Sequence, residues 1–161
     1  MNISGRTKLF PIIGDPVAGV VSPPAVNAWF QSNAIDACMM PLNIPASNIT
    51  GFWDMLRASN TFLGCSITYP HKQSAYAQVD TMTERATRLG ALNTVRRADD
   101  GSLCGDATDG TALLQAIGQA GARVNGACVH ITGAGGSAGR AIIDALCDAG
   151  AANIILEDTD A

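Results

Sequence analysis

Ala127-Cys128-Val129-His130-Ile131-Thr132-Gly133-Ala134-Gly135-Gly136-Ser137-Ala138-Gly139 is a short apolar run that empties into a glycine-rich turn. The run predicts a strand over 127–132, and Arg140 to Ala149 predicts a helix. Asn153 to Leu156 reads as a second strand, closing a β-α-β unit of about 30 residues. The first glycine permits the tight turn, and the second lets the backbone come close to a pyrophosphate. The helix start adds free N–H groups and a partial positive charge. Gly133, Ala134, Gly135, Gly136 and Ser137 are therefore candidate cofactor residues. Ala138 stands where a third glycine is usual, and Gly139 follows one place later. A glycine-rich turn with no ligand is the competing reading. Glu157, Asp158 and Asp160 follow the second strand. An acid about 20 positions past the glycines accepts hydrogen bonds from ribose hydroxyls and repels a 2′-phosphate. An acidic loop without a ligand is the alternative.

Upstream, strands are expected over 8–13, 37–42 and 61–69, and helices over 25–33, 49–59, 74–79 and 83–89. Segments 92–97 and 102–104 flank the turn signal Asp99-Asp100-Gly101 and predict a hairpin. A helix over 110–120 bridges to the glycine-rich unit. Strands alternating with helices imply an α/β fold with a parallel or mixed sheet. The expected organisation is a mixed-sheet α/β substrate domain over 1–109. The opening of a Rossmann-type nucleotide-binding domain follows over 110–161.

The 161 residues are 47% hydrophobic and 15% charged, enough to bury a core. A net charge of −4 with no basic run argues against nucleic acid as a partner. No stretch approaches the roughly 18 apolar residues of a membrane span. The N-terminus lacks the pattern of a secretory leader, so the expected location is cytoplasmic. The cysteines at 38, 65, 104, 128 and 147 form no C-x-x-C pair. Buried, reduced thiols are expected, and no metal site. His71 reads as a solvated loop residue. His130, Trp29 and Trp53 read as core.

Four polar clusters stand at the ends of apolar segments, where open α/β sheets place ligands. They are Ser22 with Pro23, Thr68 with Lys72, Asn93 with Thr94, and Thr108 with Asp109. A lysine and an aspartate among neutral hydrogen-bonders suit a small polyhydroxylated substrate. Lys72 can serve in proton transfer, and Asp109 can hold it in place.

Five motifs together closely resemble the shikimate dehydrogenase family. Gly14-Asp15-Pro16 leading to Ser22-Pro23 and Asn27 resembles its opening signature. Gly64 to Lys72 (G-C-S-I-T-Y-P-H-K) resembles its lysine-bearing strand end. Gly90-Ala91-Leu92-Asn93-Thr94, Gly105 to Gly110 and Gly133 to Gly136 resemble the next three, in order. The resemblance implies reversible oxidation of a ring hydroxyl, on shikimate, coupled to NADP or NAD. It implies Lys72 as the catalytic proton-transfer residue, Asp109 as its partner, and Ser22, Ser66, Thr68 and Asn93 as substrate contacts. It also implies Glu84 near the cofactor. Gly19 and Val20 stand where the family has His-Ser, Ser66 and Ala107 where it has asparagines, and Val26 where it has His. One hydroxyl that grips the substrate carboxylate in the family is therefore missing. Quinate or another cyclic polyol is an alternative substrate, and a non-catalytic binding module is an alternative function. Glu157-Asp158-Thr159 stands where NADP-using members carry Asn-Arg-Thr, and an anion in place of that cation favours NAD. A homodimer is left open as a partner. A dinucleotide fold has about six parallel strands. Two are expected here, so the chain is expected to be truncated and to turn over poorly by itself.

Overall fold

Pro11 cuts the apolar run at 8–13 in two, because proline has no N–H to give to a sheet ladder. In the computed structural model, which describes residues 2–159, β1 (Lys8–Leu9) pairs in parallel with β3 (Ala37–Cys38). β2 (Ile12–Gly14) lies between β4 (Pro41–Asn43) and β5 (Gly64–Ile67), parallel to both. β5 then runs antiparallel to β7 (Thr94–Arg97), and β7 antiparallel to β8 (Leu103–Asp106). Two-residue β6 (Thr81–Met82) closes the far edge, parallel to β8. The result is a mixed six-stranded sheet in the order β4-β2-β5-β7-β8-β6.

α1 (Ser22–Ser32) begins three residues before the expected start. Pro23 and Pro24 fit in its first turn, where a helix has no use for those N–H groups. α2 (Ile49–Ala58) buries Phe52, Trp53 and Leu56 against Ile13, Cys65, Ile67, Val95 and Leu103. Each such side chain contributes about 1.5–3 kcal/mol by leaving water. α3 (Glu84–Leu89) is capped by Thr83, whose hydroxyl accepts the Ala86 N–H. The segment 74–78 is a 3-10 turn rather than an α-helix.

The second unit comprises α4 (Asp109–Gln119), β9 (Cys128–Thr132), α5 (Ser137–Asp148) and β10 (Asn153–Glu157). β9 and β10 form a two-stranded parallel sheet. α4 crosses α5 closely: a side chain at Gly110 would collide with the Ala141 carbonyl and the Ala145 methyl. Arg88 on α3 reaches across to Asp144 and Asp148 on α5, at 2.8 Å each. These contacts set the second unit against the first.

Several expectations need correction. Trp29 is not core: it is exposed, because α1 packs through Val26 and Phe30 instead. Trp53 is buried as expected. Of the cysteines only Cys65 is buried, and burial pushes its thiol pKa up; Cys128 and Cys147 are exposed. Among the described residues no helix is long and apolar enough to cross a membrane.

Candidate active site

β5 ends at Ile67, and the chain leaves the sheet through Thr68, Tyr69 and Pro70 to Lys72. His71 fixes this exit. It is 1% exposed, and its Nε2 lies 2.7 Å from the Ile44 carbonyl just past β4. His71 is thus a buried anchor, not a solvated loop residue. With the loop pinned, the Lys72 Nζ donates to Asp109 Oδ2 at 2.6 Å. Both side chains are partly screened from water, at 17% and 30% exposure. Asp109 is the first residue of α4, where the helix dipole favours a carboxylate.

Asn93 completes the arrangement from the position just before β7. Its Nδ2 donates to Asp109 Oδ1 at 2.5 Å. Its Oδ1 accepts from the Thr108 N–H at 2.8 Å and the Thr108 hydroxyl at 3.0 Å. Asn93 is buried, so this full set of bonds fixes its amide and holds the Asp109 carboxylate from the side opposite Lys72. Ser66, inside β5, has its hydroxyl 3.4 Å from the Asn93 carbonyl.

Sequence reasoning missed a second layer of positioning. Arg85 makes a two-pronged bond to Asp106, at 2.7 and 2.5 Å, and the Thr83 hydroxyl adds another at 2.7 Å. Burial opposes the charge on Asp106, but the bonds from Arg85, Thr83 and the Ala107 N–H outweigh it and hold its pKa below the usual carboxylate value. This cluster pins the end of β8 three residues before Asp109. Asp106 lies inside the Gly105–Gly110 motif, so the motif offered a signal, but nothing in the sequence identified Arg85 as its partner.

Lys72 faces the glycine turn. A cavity of about 280 Å³ is lined by Thr68, Tyr69, Pro70 and Lys72 on one side and by Gly136, Ser137 and Ala138 on the other. A smaller one joins Lys72, Asn93 and Asp109 to Ser137. Ser22, at the start of α1, lies farther along with Thr68, beside a cavity of about 370 Å³. Glu84 opens α3, is exposed, and lines neither of the two cavities that Ser137 shares with Lys72.

Gly133 has φ +76°, which a side chain would strain. A Cβ at Gly139 would strike the Gly133 and Ala134 carbonyl oxygens, so Gly139 provides the close helix–turn packing one place later than usual. The Gly135 N–H donates to the Asp158 carboxylate at 2.6 Å, so the turn already receives one anionic group. These features fit a pyrophosphate at the start of α5. Glu157 ends β10 and lies 3.1 Å from His130 Nε2. His130 is exposed on β9 and paired there, not a core residue. Asp160 lies outside the described residues. No cluster of three or more His, Cys, Asp or Glu able to hold a metal occurs among the described residues.

Residues 12–95 match the family model of the shikimate dehydrogenase substrate binding domain. A shikimate dehydrogenase (NADP(+)) of Rubrobacter xylanophilus is 39% identical over 92% of this chain and 51% of its own length. One from Rhodospirillum rubrum is 35% identical over 98% of this chain and 56% of its own. Among solved structures, the Thermus thermophilus shikimate 5-dehydrogenase in complex with NADP(H) and shikimate aligns at TM-score 0.85 and 30% identity, over 95% of this chain and 56% of that one. The 5-ketofructose reductase of a Gluconobacter strain aligns equally well, at TM-score 0.85 and 30% identity, over 95% and 54%. The chain spans about half the length of the curated relatives it matches. With a matching family model over more than half its length, the chain belongs to the shikimate dehydrogenase substrate-binding domain family.

Proposed function

We propose that this chain supplies the substrate half and the phosphate-binding turn of a nicotinamide-dependent dehydrogenase of the shikimate dehydrogenase type. One observation carries the reading. The Lys72–Asp109 pair, braced by Asn93, borders the cavity whose opposite wall is the start of α5. A proton-handling pair and a phosphate cradle on one cleft suit proton transfer beside hydride transfer. We take the substrate domain to be residues 1–109 and the nucleotide-binding unit 110–161.

Lys72 and Asp109 are the catalytic residues of this reading. Ser22, Ser66, Thr68 and Asn93 serve the substrate, Ser66 and Asn93 chiefly by orienting their neighbours. Gly133, Ala134, Gly135, Gly136 and Ser137 would hold the pyrophosphate. The bound nicotinamide supplies the hydride acceptor or donor. In the oxidative direction the ring hydroxyl gives its proton to the Lys72–Asp109 pair as its carbon loses a hydride and becomes a carbonyl. In the reductive direction the pair returns that proton to the forming alkoxide.

For the cofactor we infer NAD over NADP. Asp158 bonds the glycine turn and Glu157 precedes it in the chain, so two acids stand in the stretch where NADP-using members of the family carry a cation. The curated relatives bear NADP(+) in their names, so this reading rests on those two acids alone. Glu84 is retained as a residue near the cofactor only on the resemblance. Cytoplasmic residence fits the same reading. The test is nicotinamide absorbance with the full-length protein, NAD and NADP in turn, and a panel of shikimate, quinate and other cyclic polyols. Reduction that vanishes in Lys72→Ala supports the dehydrogenase. Turnover unchanged in Lys72→Ala would remove it, and a higher kcat/KM for NADP would remove the NAD preference.

A further inference from the structure

α3 has only six residues, yet it carries two arginine forks that grip different halves of the molecule. Arg85 holds Asp106 at the end of β8, with Nε at 2.7 Å and Nη2 at 2.5 Å. Arg88, three residues on, holds α5 in the second unit. Its Nε donates to Asp144 Oδ1 at 2.9 Å and its Nη2 to Asp144 Oδ2 at 2.8 Å. The same Nη2 donates to Asp148 Oδ2 at 2.8 Å, one helical turn along. A lone surface ion pair holds little, because water and salt screen it. A planar fork on one carboxylate, with a second carboxylate beside it, is the geometry that does hold. Asp144 is also largely covered, at 22% exposure.

Apolar packing is thin beside this clamp. Where α3, α4 and α5 meet, Arg85, Leu89, Leu114 and Ala145 surround a cavity of about 80 Å³ that also borders Asp144 and Asp148. The second unit is thus tied to the first by polar groups at two places. One is the start of α4, where Asp109 bonds Lys72 and Asn93. The other is Arg88 on α5. A body held at one point can pivot about it, and a second point fixes its angle. α5 carries the phosphate cradle in its first turn and the clamp in its second half. An angle set at Asp144 therefore passes along a rigid helix to Ser137, about 10 Å away. Arg88 lines neither of the cavities that Lys72 and Ser137 share.

We propose that Arg88 is a positioning residue: by fixing α5 against α3 it holds the phosphate cradle at the spacing from the Lys72–Asp109 pair that hydride transfer needs. The proposal rests on the dehydrogenase reading of the cleft, and deepens it. Without Arg88 each half keeps its own binding groups, since the glycine turn lies wholly in the second unit and Lys72, Thr68 and Asn93 in the first. What is lost is their alignment.

The test uses the full-length protein, with shikimate and either nicotinamide as probes. Arg88→Ala is expected to lower kcat by about 10–100-fold, because a misplacement on the order of 1 Å suffices for that, while KM for shikimate and for the nicotinamide each stay within about threefold. Arg88→Asp combined with Asp144→Arg moves the cation to the other helix, still beside Asp148. This swap is expected to restore kcat to within about threefold of the parent. Should the swap fail to fold, Arg88→Lys takes its place: it keeps the charge, loses the fork, and should give a kcat between those of the parent and Arg88→Ala. Small-angle X-ray scattering gives a readout free of turnover, with a larger radius of gyration expected for Arg88→Ala than for the parent. An unchanged kcat, an unchanged radius, or both KM values rising in step with the fall in kcat each overturns the proposal and leaves the dehydrogenase reading intact. A parent silent toward shikimate, quinate and other cyclic polyols removes the dehydrogenase reading. An enlarged radius in Arg88→Ala would then still establish Arg88 as the brace between the two units.

Discussion

β5 and β10 are both short apolar strands with a parallel neighbour, yet they live in different surroundings. In β5, Cys65 and Ile67 are all but sealed from solvent, at 0% and 2% exposure. In β10, Ile155 and Leu156 are more than half exposed, at 54% and 53%. The difference lies in what covers them. β5 sits third in a six-stranded sheet with α2 laid across it, whereas among the described residues β9 and β10 pair only with each other, with α5 on one side. Parallel strands ordinarily have both faces covered. The apolar content of a strand therefore says that it belongs in an interior, but not which neighbours provide one.

The largest effect should arise where the two regions meet. Lys72→Ala removes the proton-handling group and should lower kcat of the full-length protein by about 10²–10⁴-fold with little change in KM. A change confined to KM would mean that Lys72 only binds. Next comes the contrast in burial. Leu56→Ala, in the sealed core, should cost about 2–5 kcal/mol in denaturant unfolding. Ile155→Ser, on the open strand, should stay within about 0.5 kcal/mol in the isolated chain. Equal costs for the two would break the comparison. Gly110→Val probes the joint: its side chain would drive α4 off α5, at about 1–3 kcal/mol, and should loosen the second unit more than the first in hydrogen exchange.

The smallest effect is a pH dependence. The pKa of Asp106 is lower folded than unfolded, so its contribution is complete above the unfolded carboxylate value of about 3.9 and is lost as pH falls through the folded value. Urea midpoints of the parent and Asp106→Asn should therefore converge as the medium is acidified below that point. A constant gap between them would show that Arg85 and Thr83 do not hold the carboxylate as the geometry indicates.

The strand–turn–helix at 127–149 and the hairpin around Gly101 were legible because both rest on local turn chemistry. So was the meeting of Lys72 with Asp109, because the motifs carrying them have a fixed order. Long-range pairing was not legible. Nothing local marks Thr81-Met82 as a strand; it becomes one only by lying against Cys104 and Gly105. The split at Pro11 was missed because Leu9, Phe10, Ile12 and Ile13 on either side masked a proline that sends the chain from one sheet to another. His71 and His130 were read the wrong way round for one reason: burial was assigned from adjacent residues. Pro70 suggested an exposed loop, though the loop tucks beneath β4. Apolar neighbours suggested a core, though position 130 lies on the face opposite Ile131.

Asp109 belongs to two structures at once. It is the counter-ion of Lys72, and it is the first residue of the helix that clasps α5, whose own first residue, Ser137, lies across the same opening. The span between the proton-handling pair and the phosphate cradle is thus a property of how two helices cross, set by a glycine with no side chain and its alanine neighbours. Enlarging either helix at that crossing changes the gauge of the cleft without touching any group that does chemistry.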